Sequence, residues 1–339
     1  MRIPTTVWLI GLVGSVGCGG AQNPIVPTPP IEPPRISCPA SPSVVSPNGQ
    51  ATPVVFGTPT VAGGVSPIST TCTPVSGSLF SIGTTPVTCT ATDAQQRAST
   101  CSFAVNVQAP ARISLTKFLA FGDSITLGED GNTLTQAPPG VQPFVLFDQT
   151  YPDVLRRQLS TRYTTQAMSV DNRGMPGEMV GTPEALTRFS QLVATRAYEA
   201  VLIMEGTNDL FTVDPRLITP AIANLRAMVR DARSRNVRPY LATIPPMNPA
   251  GRRGGGANLV APLNEEIRAL ARAEGVTLVD IQLAFGTSFS LLSNDGLHPN
   301  AEGFTRIAET FFAALRSTLE LPAAAAIGGP AALTRPSWP

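Results

Sequence analysis

Apolar positions in this chain change their spacing along its length, and each spacing predicts a different kind of element. Behind Arg2, residues 7–13 form an unbroken apolar run. It is too short to cross a bilayer, which takes about 20 apolar residues, and it suits the centre of an export signal. From Gln22 to Pro34 proline recurs so densely that helix is excluded and extended polyproline II is expected. Over 36–107 the period becomes two. Residues 86–92 and 101–107 alternate, with turn signals at Ser76-Gly77, Ile82-Gly83 and Asp93-Ala94; this predicts a small β-sandwich. From Lys117 onward short apolar runs alternate with helical periods. Strands are predicted at 118–121, 167–170, 200–204, 239–244 and 276–281. Helices are predicted through 158–163 (opened by Pro152), at 183–196 with Leu186, Phe189, Leu192 and Val193 on one face, and at 218–235, 259–273 and 301–319. That alternation predicts a parallel sheet covered on both faces.

Length agrees with more than one domain, because 339 residues exceed what one core usually serves. The boundaries that follow are a signal peptide at 1–17, a Pro-rich tether at 18–35, a β-sandwich at 36–109, an α/β domain at 115–321 and a disordered tail at 322–339. At about 3.1 Å per residue the tether would reach roughly 40 Å. Composition narrows the function. Net charge is +1 with 14% charged residues, which lacks the basic footprint of a nucleic-acid binder. Of five cysteines, Cys18 follows the apolar run, and Cys38, Cys72, Cys89 and Cys101 fall in the β region. Four such cysteines behind an export signal imply two disulfides. Three pairings are open; we favour Cys38–Cys101 across the terminal strands with Cys72–Cys89 inside.

Candidate chemistry gathers in four short segments: Gly122-Asp123-Ser124, Asn172-Arg173-Gly174, Gly206-Thr207-Asn208-Asp209 and Asp295-Gly296-Leu297-His298. The first three each follow a predicted strand, and the last precedes the final helix, so all are expected at the carboxyl edge of the sheet, where ligands bind. A serine hydroxyl needs a base, and His298 is the only histidine in the chain. Asp295 would fix its tautomer. The backbone N–H groups of Ser124 and Gly174 and the Asn208 amide would stabilise an oxyanion. With one histidine and the cysteines committed elsewhere, a zinc centre of His and Cys ligands is not assembled, and no metal site is expected. The connection 127–150, carrying Phe144, Val145, Leu146 and Phe147, reads as an acyl-binding lid or as packing on the body. Residues 248–258, with Arg252, Arg253 and three glycines, read as a flexible basic loop, either solvated or facing an acidic glycan.

Three resemblances add to this. Residues 15–18 resemble a bacterial lipobox, departing at Ser15 from the preferred leucine, which implies a lipid on Cys18 and an exported, outer-membrane or surface lipoprotein; simple secretion after cleavage near Ala21 is the alternative. The segment from Cys72 through residues 83–93 to Cys101 resembles the hyalin repeat (HYR) module, an immunoglobulin-like fold of extracellular proteins, departing at Gln95-Gln96-Arg97. It would serve as a spacer or as an envelope-glycan contact. Residues 117–319 resemble the SGNH (GDSL-type) hydrolases in all four segments. This resemblance implies a three-layer, flavodoxin-like α/β/α fold and a cofactor-free serine esterase with Ser124, His298 and Asp295 as its triad. The substrate class it leaves open spans lipid acyl esters and carbohydrate acetyl esters. Transfer of the acyl group to a glycan, and an adhesion protein with a non-catalytic hydrolase-like domain, are the alternatives.

Overall fold

The computed structural model describes residues 31–129, 131 and 148–322. The signal segment, Cys18, most of the tether, Phe144 to Phe147 and all but residue 322 of the tail lie outside the described residues. Contacts group the chain into two compact units. One runs up to Pro39 and includes Thr58–Thr73 and Thr88–Ser102; the other holds Ala40–Gly57, Pro74–Val87 and everything from Phe103.

The α/β region is built on five parallel strands: β1 (Lys117–Gly122), β2 (Ser169–Gly174), β3 (Ala200–Met204), β4 (Arg238–Ala242) and β5 (Thr277–Val279). Their order is β2-β1-β3-β4-β5, and every pairing is parallel. Side chains alternate across a strand, so β1 sends Leu119 and Phe121 to one face and Phe118 and Ala120 to the other. The first face joins Val201, Ile203 and Leu241 to helices α3 (Pro183–Ala194), α4 (Ile218–Ser234) and α5 (Ala257–Glu274). The second joins Leu202, Tyr240 and Ala242 to α2 (Tyr151–Arg162) and the last helix, Ala301–Leu319. Burial on both faces explains why β3 is apolar throughout. The result is the three-layer α/β/α architecture, with the strand order of the flavodoxin-like class and its switch point between β1 and β3.

Element boundaries differ from the sequence reading in informative ways. The strand expected at 167–170 runs instead from Ser169 to Gly174. As an edge strand β2 is half-exposed, so Asp171, Asn172 and Arg173 sit within it without an apolar run to announce them. Helix α2, by contrast, opens at Tyr151-Pro152, as expected. Thr150 caps it by accepting the Asp153 N–H at 3.3 Å, and Pro152 occupies its first turn. The strand expected to end at 281 ends at Val279, because the Asp280 side chain caps a short further helix, Ile281–Phe285. The last helix runs over 301–319, with Asn300 capping it at Gly303 N–H, 3.0 Å.

The N-terminal region is strand-rich and consistent with a β-sandwich. Residues Gly83–Thr92 and Ala98–Gln108 are its longest strands, in a four-stranded sheet completed by Ser43–Val45 and Ser69–Thr73. Disulfides join Cys38 to Cys101 and Cys72 to Cys89; the latter two are paired opposite each other in the ladder.

Two glycines fix how closely the strands approach the turn that follows β1. A Cβ at Gly122 would overlap the Thr126 hydroxyl and lie 2.6 Å from the Met204 carbonyl. One at Gly174 would overlap Leu127 N and lie 2.7 Å from the Asp123 carbonyl. Backbone atoms cannot step aside as a side chain can. Gly174→Ala is therefore expected to destabilise by roughly 1–3 kcal/mol, the usual cost of overpacking. Gly255→Ala, where a Cβ meets nothing within 4 Å, should stay within about 0.5 kcal/mol of the parent. Urea unfolding of both variants checks this, and equal midpoints would refute it.

Candidate active site

At the end of β1 the chain turns sharply into a one-turn helix, α1 (Ser124–Leu127). Asp123 caps it by accepting the Ile125 N–H at 2.8 Å. Gly128, at φ 98°, closes it in the left-handed region and returns its N–H to the Ser124 carbonyl at 3.0 Å. Ser124 is thus the first residue of the turn, 3% exposed.

The opposite wall is the turn ahead of the last helix. Asp295 is buried, and its Oδ1 accepts the backbone N–H groups of Leu297 and His298, each at 3.0 Å. Its Oδ2 lies 2.6 Å from His298 Nδ1. His298 Nε2 lies 2.9 Å from Ser124 Oγ, across 174 residues of sequence. With Nδ1–H donated to the carboxylate, Nε2 is left as the acceptor of the serine proton. Burial pushes the Asp295 carboxyl up, but the ring hydrogen bond and the two backbone N–H groups outweigh it and hold it at about 2. Asp295 therefore stays ionised at neutral pH.

Residues 248–253 support this turn rather than standing free as a flexible basic loop. Asn248 N–H donates to the Gly296 carbonyl at 2.8 Å and Arg253 N–H to the Asp295 carbonyl at 2.9 Å. Gly251 comes so close that a Cβ there would lie 2.5 Å from the Asp295 carbonyl oxygen. Sequence reasoning missed this because a glycine-rich, charged stretch gives the same signal whether it is solvated or pressed against a neighbouring backbone.

The expected oxyanion donors divide. Ser124 presents its N–H at the start of α1. The Asn208 amide donates one hydrogen to the Glu178 carbonyl at 2.9 Å, which fixes its plane and leaves a second hydrogen. Gly174 differs from the expectation: its N–H is already given to its neighbour Asn172 Oδ1 at 3.0 Å. The Asn172 amide in turn donates to the Leu127 carbonyl at 3.2 Å. This pair braces α1 from β2, and glycine is needed at 174 for the close approach. After Asn208, the Asp209 carboxylate accepts the Val180 and Gly181 N–H groups at 2.9 and 2.8 Å, so the third segment also anchors the loop that follows β2.

Three buried acidic groups stand near the site, and two of them, Glu129 and Glu205, carried no sequence signal. Glu129 is buried, with Oε2 3.8 Å from His298 Nε2 and Oε1 3.9 Å from Arg253 Nη1. Burial pushes the Asp123 carboxyl up to about 6 against the pull of the Ile125 N–H. Burial likewise drives Glu205 well above the usual carboxylate range, reinforced by the neighbouring Asp123 and Glu178 charges. Neither Glu129 nor Glu205 lies at a motif position that a single sequence distinguishes from an ordinary surface carboxylate, and Asp123, although in the first of the four segments, shows nothing there of its burial.

Residues 120–306 match the family model of the GDSL-like lipase/acylhydrolase family, and residues 30–107 match that of the HYR domain. Among solved structures, the chain is similar to a lipase/acylhydrolase from Enterococcus faecalis at 22% identity, over 60% of this chain and 97% of that one, with a TM-score of 0.49. It is similar to the native aryl esterase of M. smegmatis at 20% identity, over 60% and 99% of the two chains, with a TM-score of 0.49. A catalytic mutant of an acetylxylan esterase from Geobacillus stearothermophilus is similar at 22% identity, over 60% and 95%, with a TM-score of 0.48. No curated protein matches the chain. The match to the family model spans more than half of the sequence, and the chain belongs to the GDSL-like lipase/acylhydrolase family, as a carboxylic ester hydrolase that also carries an HYR domain.

Proposed function

We propose that the chain hydrolyses lipid acyl or carbohydrate acetyl esters through an acyl-enzyme on Ser124. The observation that carries this is the 2.9 Å contact between His298 Nε2 and Ser124 Oγ, backed by the 2.6 Å contact to Asp295. In this reading His298 takes the Ser124 proton as Oγ attacks the ester carbonyl. Asp295 holds the ring and stabilises the imidazolium. The Ser124 N–H and the free Asn208 amide hydrogen stabilise the tetrahedral oxyanion; one such donor is worth about 2.7–4 kcal/mol of barrier. The imidazolium then protonates the departing alcohol. Water, deprotonated by His298, attacks the acyl-enzyme; the acid leaves and Ser124 recovers its proton.

Placement at the cell envelope belongs to the same proposal. It is supported by the short apolar run ahead of Cys18 and by two disulfides, bonds that form and persist chiefly in oxidising compartments. In the proposal Cys18 carries the lipid and the Pro-rich tether sets the enzyme off the membrane. Labelling the full chain in a bacterial host with radioactive palmitate checks this; label that survives Cys18→Ala would refute the anchor.

Ser124→Ala should abolish turnover of p-nitrophenyl esters, with residual rates roughly 10³-fold or more below the parent. A series of acyl chain lengths run beside acetylated polysaccharides then ranks the substrate classes. Turnover that survives Ser124→Ala refutes the acyl-enzyme.

Asp295→Asn should lower kcat by roughly 10⁴-fold, because the ring loses the partner that sets its tautomer. It also tests the electrostatics. A carboxyl whose pKa is lowered on folding, here from 3.8 to about 2, adds stability above its unfolded value and loses it as pH falls through the folded one. The parent should therefore exceed the variant by on the order of 2 kcal/mol at neutral pH, and this gap should close between pH 3.8 and about 2. A gap that is constant across that window in urea titrations would refute the assigned ionisation.

A further inference from the structure

The three segments that supply Ser124, Gly174 and Asn208 leave three adjacent strands, β1, β2 and β3. One guanidinium lies at all three exits. Arg188, on α3, donates through Nη1 to the Arg173 carbonyl at 2.7 Å and through Nη2 to the Gly122 carbonyl at 3.3 Å. Those carbonyls belong to the last residues of β2 and β1 or their immediate neighbour, directly ahead of Gly174 and Asp123. Its Nε donates to Glu178 Oε1 at 2.7 Å, and Nη2 also donates to Glu178 Oε2. Glu178 is the residue whose main-chain carbonyl holds the Asn208 amide. Nη2 also faces Glu205, the residue after β3, at 3.9 Å, and the guanidinium carbon lies 4.0 Å from the Phe121 ring centroid. The side chain is only 18% exposed.

We propose that Arg188 is a positioning residue for ester hydrolysis, a clamp that sets the oxyanion donors in register with the Ser124 hydroxyl. The proposal rests on the serine-esterase reading above. Arg188 touches no reacting atom. It acts by fixing two strand-end carbonyls and, through Glu178, the plane of the Asn208 amide. A planar fork of donors is needed, since the three acceptors lie in different directions; the point charge of lysine could satisfy Glu178 but not both carbonyls as well.

The arrangement has an unusual charge balance that supports a directional role. Glu178 and Glu205 are both buried beside one guanidinium, and Arg188 makes no hydrogen bond to Glu205, whose nearer oxygen lies 3.9 Å from Nη2. Every strong donor of Arg188 points instead at Glu178 and the strand ends. The guanidinium is aimed by the backbone geometry of the site, and its donors are spent there rather than on Glu205.

The test compares Arg188→Lys and Glu178→Gln with the parent and with Ser124→Ala, in the full chain. Active sites are counted with a fluorophosphonate, kcat and KM are measured on p-nitrophenyl acetate, and Ki is measured for phenylboronic acid, whose adduct on serine is tetrahedral. We expect kcat per titrated site to fall roughly 100-fold in Arg188→Lys, the cost of misplacing catalytic groups by about 1 Å. KM should stay within about threefold, and the boronate Ki should rise in step with the loss in kcat. Glu178→Gln should give the same split with a smaller loss. A purely structural Arg188 would instead lower the number of titratable sites and the melting temperature while leaving kcat per site and the boronate Ki unchanged; that result overturns the clamp. Should Arg188→Lys not yield folded protein, Glu178→Gln decides by the same criteria. An inactive parent, no different from Ser124→Ala, would sink the esterase reading itself, whereas an active parent with an unaffected Arg188→Lys sinks only the clamp.

Discussion

The buried chain Asp295–His298–Ser124 is the constraint around which the carboxyl edge of the sheet is arranged. All three side chains are almost fully excluded from water. Polar groups in that position destabilise unless each finds a partner. Here each is the other's partner, and the spare oxygen of Asp295 is taken by two backbone N–H groups. The bonds among Asp295, Leu297 and His298 are made within one turn, but the link from His298 to Ser124 spans 174 residues. The first turn after β1 must meet the turn before the last helix, so the layers have to close before the serine and the far side of the ring are satisfied. Site geometry and fold are thus secured by the same bonds. The glycines at 122, 174 and 251 belong to this closure, because each lets a backbone come nearer than any side chain would permit.

Burial alone does not decide the charge state of the carboxylates around this chain. Asp295 and Asp123 are equally inaccessible, yet one is held at about 2 and the other is pushed up to about 6. Asp123 lies deeper in the protein, and it also receives fewer donors. Asp295 receives the ring and two backbone N–H groups. Asp123 receives one backbone N–H, that of Ile125 on Oδ1, and a weaker interaction with the Thr207 side chain. Desolvation of a carboxylate is offset only when hydrogen bonds to the charged form are numerous enough. The outcome suits the proposed chemistry: the ionised group stands beside the ring that would become an imidazolium, and the carboxyl that caps the turn bearing Ser124 is the one whose charge is disfavoured.

Much of this was legible in the sequence where the signal is local. The apolar run of β3, the period of the last helix and the lone histidine with its upstream aspartate are all short-range patterns, and the structure brings Ser124, Asp295 and His298 within hydrogen-bonding reach. What was not legible depends on partners far along the chain. Strand β2 is polar because it lies at a sheet edge, so its register with β1 was hidden and Gly174 was read as a loop donor rather than as the last residue of a strand. The 248–253 segment looked mobile because nothing in its composition tells that its backbone is spent on residues 295 and 296. Glu129 and Arg188 are invisible for the same reason: a charged residue in a loop or on a helix face has one sequence signature and two physical fates. In the β region the alternation and the cysteines were readable. Closing loops of 63 and 17 residues restricts the unfolded chain by about 4 and about 3 kcal/mol in the entropic account, a large contribution where the apolar core is small.

The buried guanidinium at the three strand exits is hard to explain as a stability device. Bringing a charge out of water is costly even when it is paired, and a well-packed apolar side chain in such a place is often as stabilising or more so. An apolar residue against Phe121 would satisfy the packing on that face of the sheet. It would leave the Arg173 carbonyl and the Glu178 carboxylate without the donors they now have, and the loop after β2 would be held beyond Glu178, by Asp209 and Asn224, with no bond to the Glu178 side chain to direct its carbonyl at Asn208. Directional bonds are what an oxyanion site requires, since its donors must be in place before the charge develops and must not reorganise when it does. A fork of hydrogen bonds supplies that direction, and dispersion contacts do not.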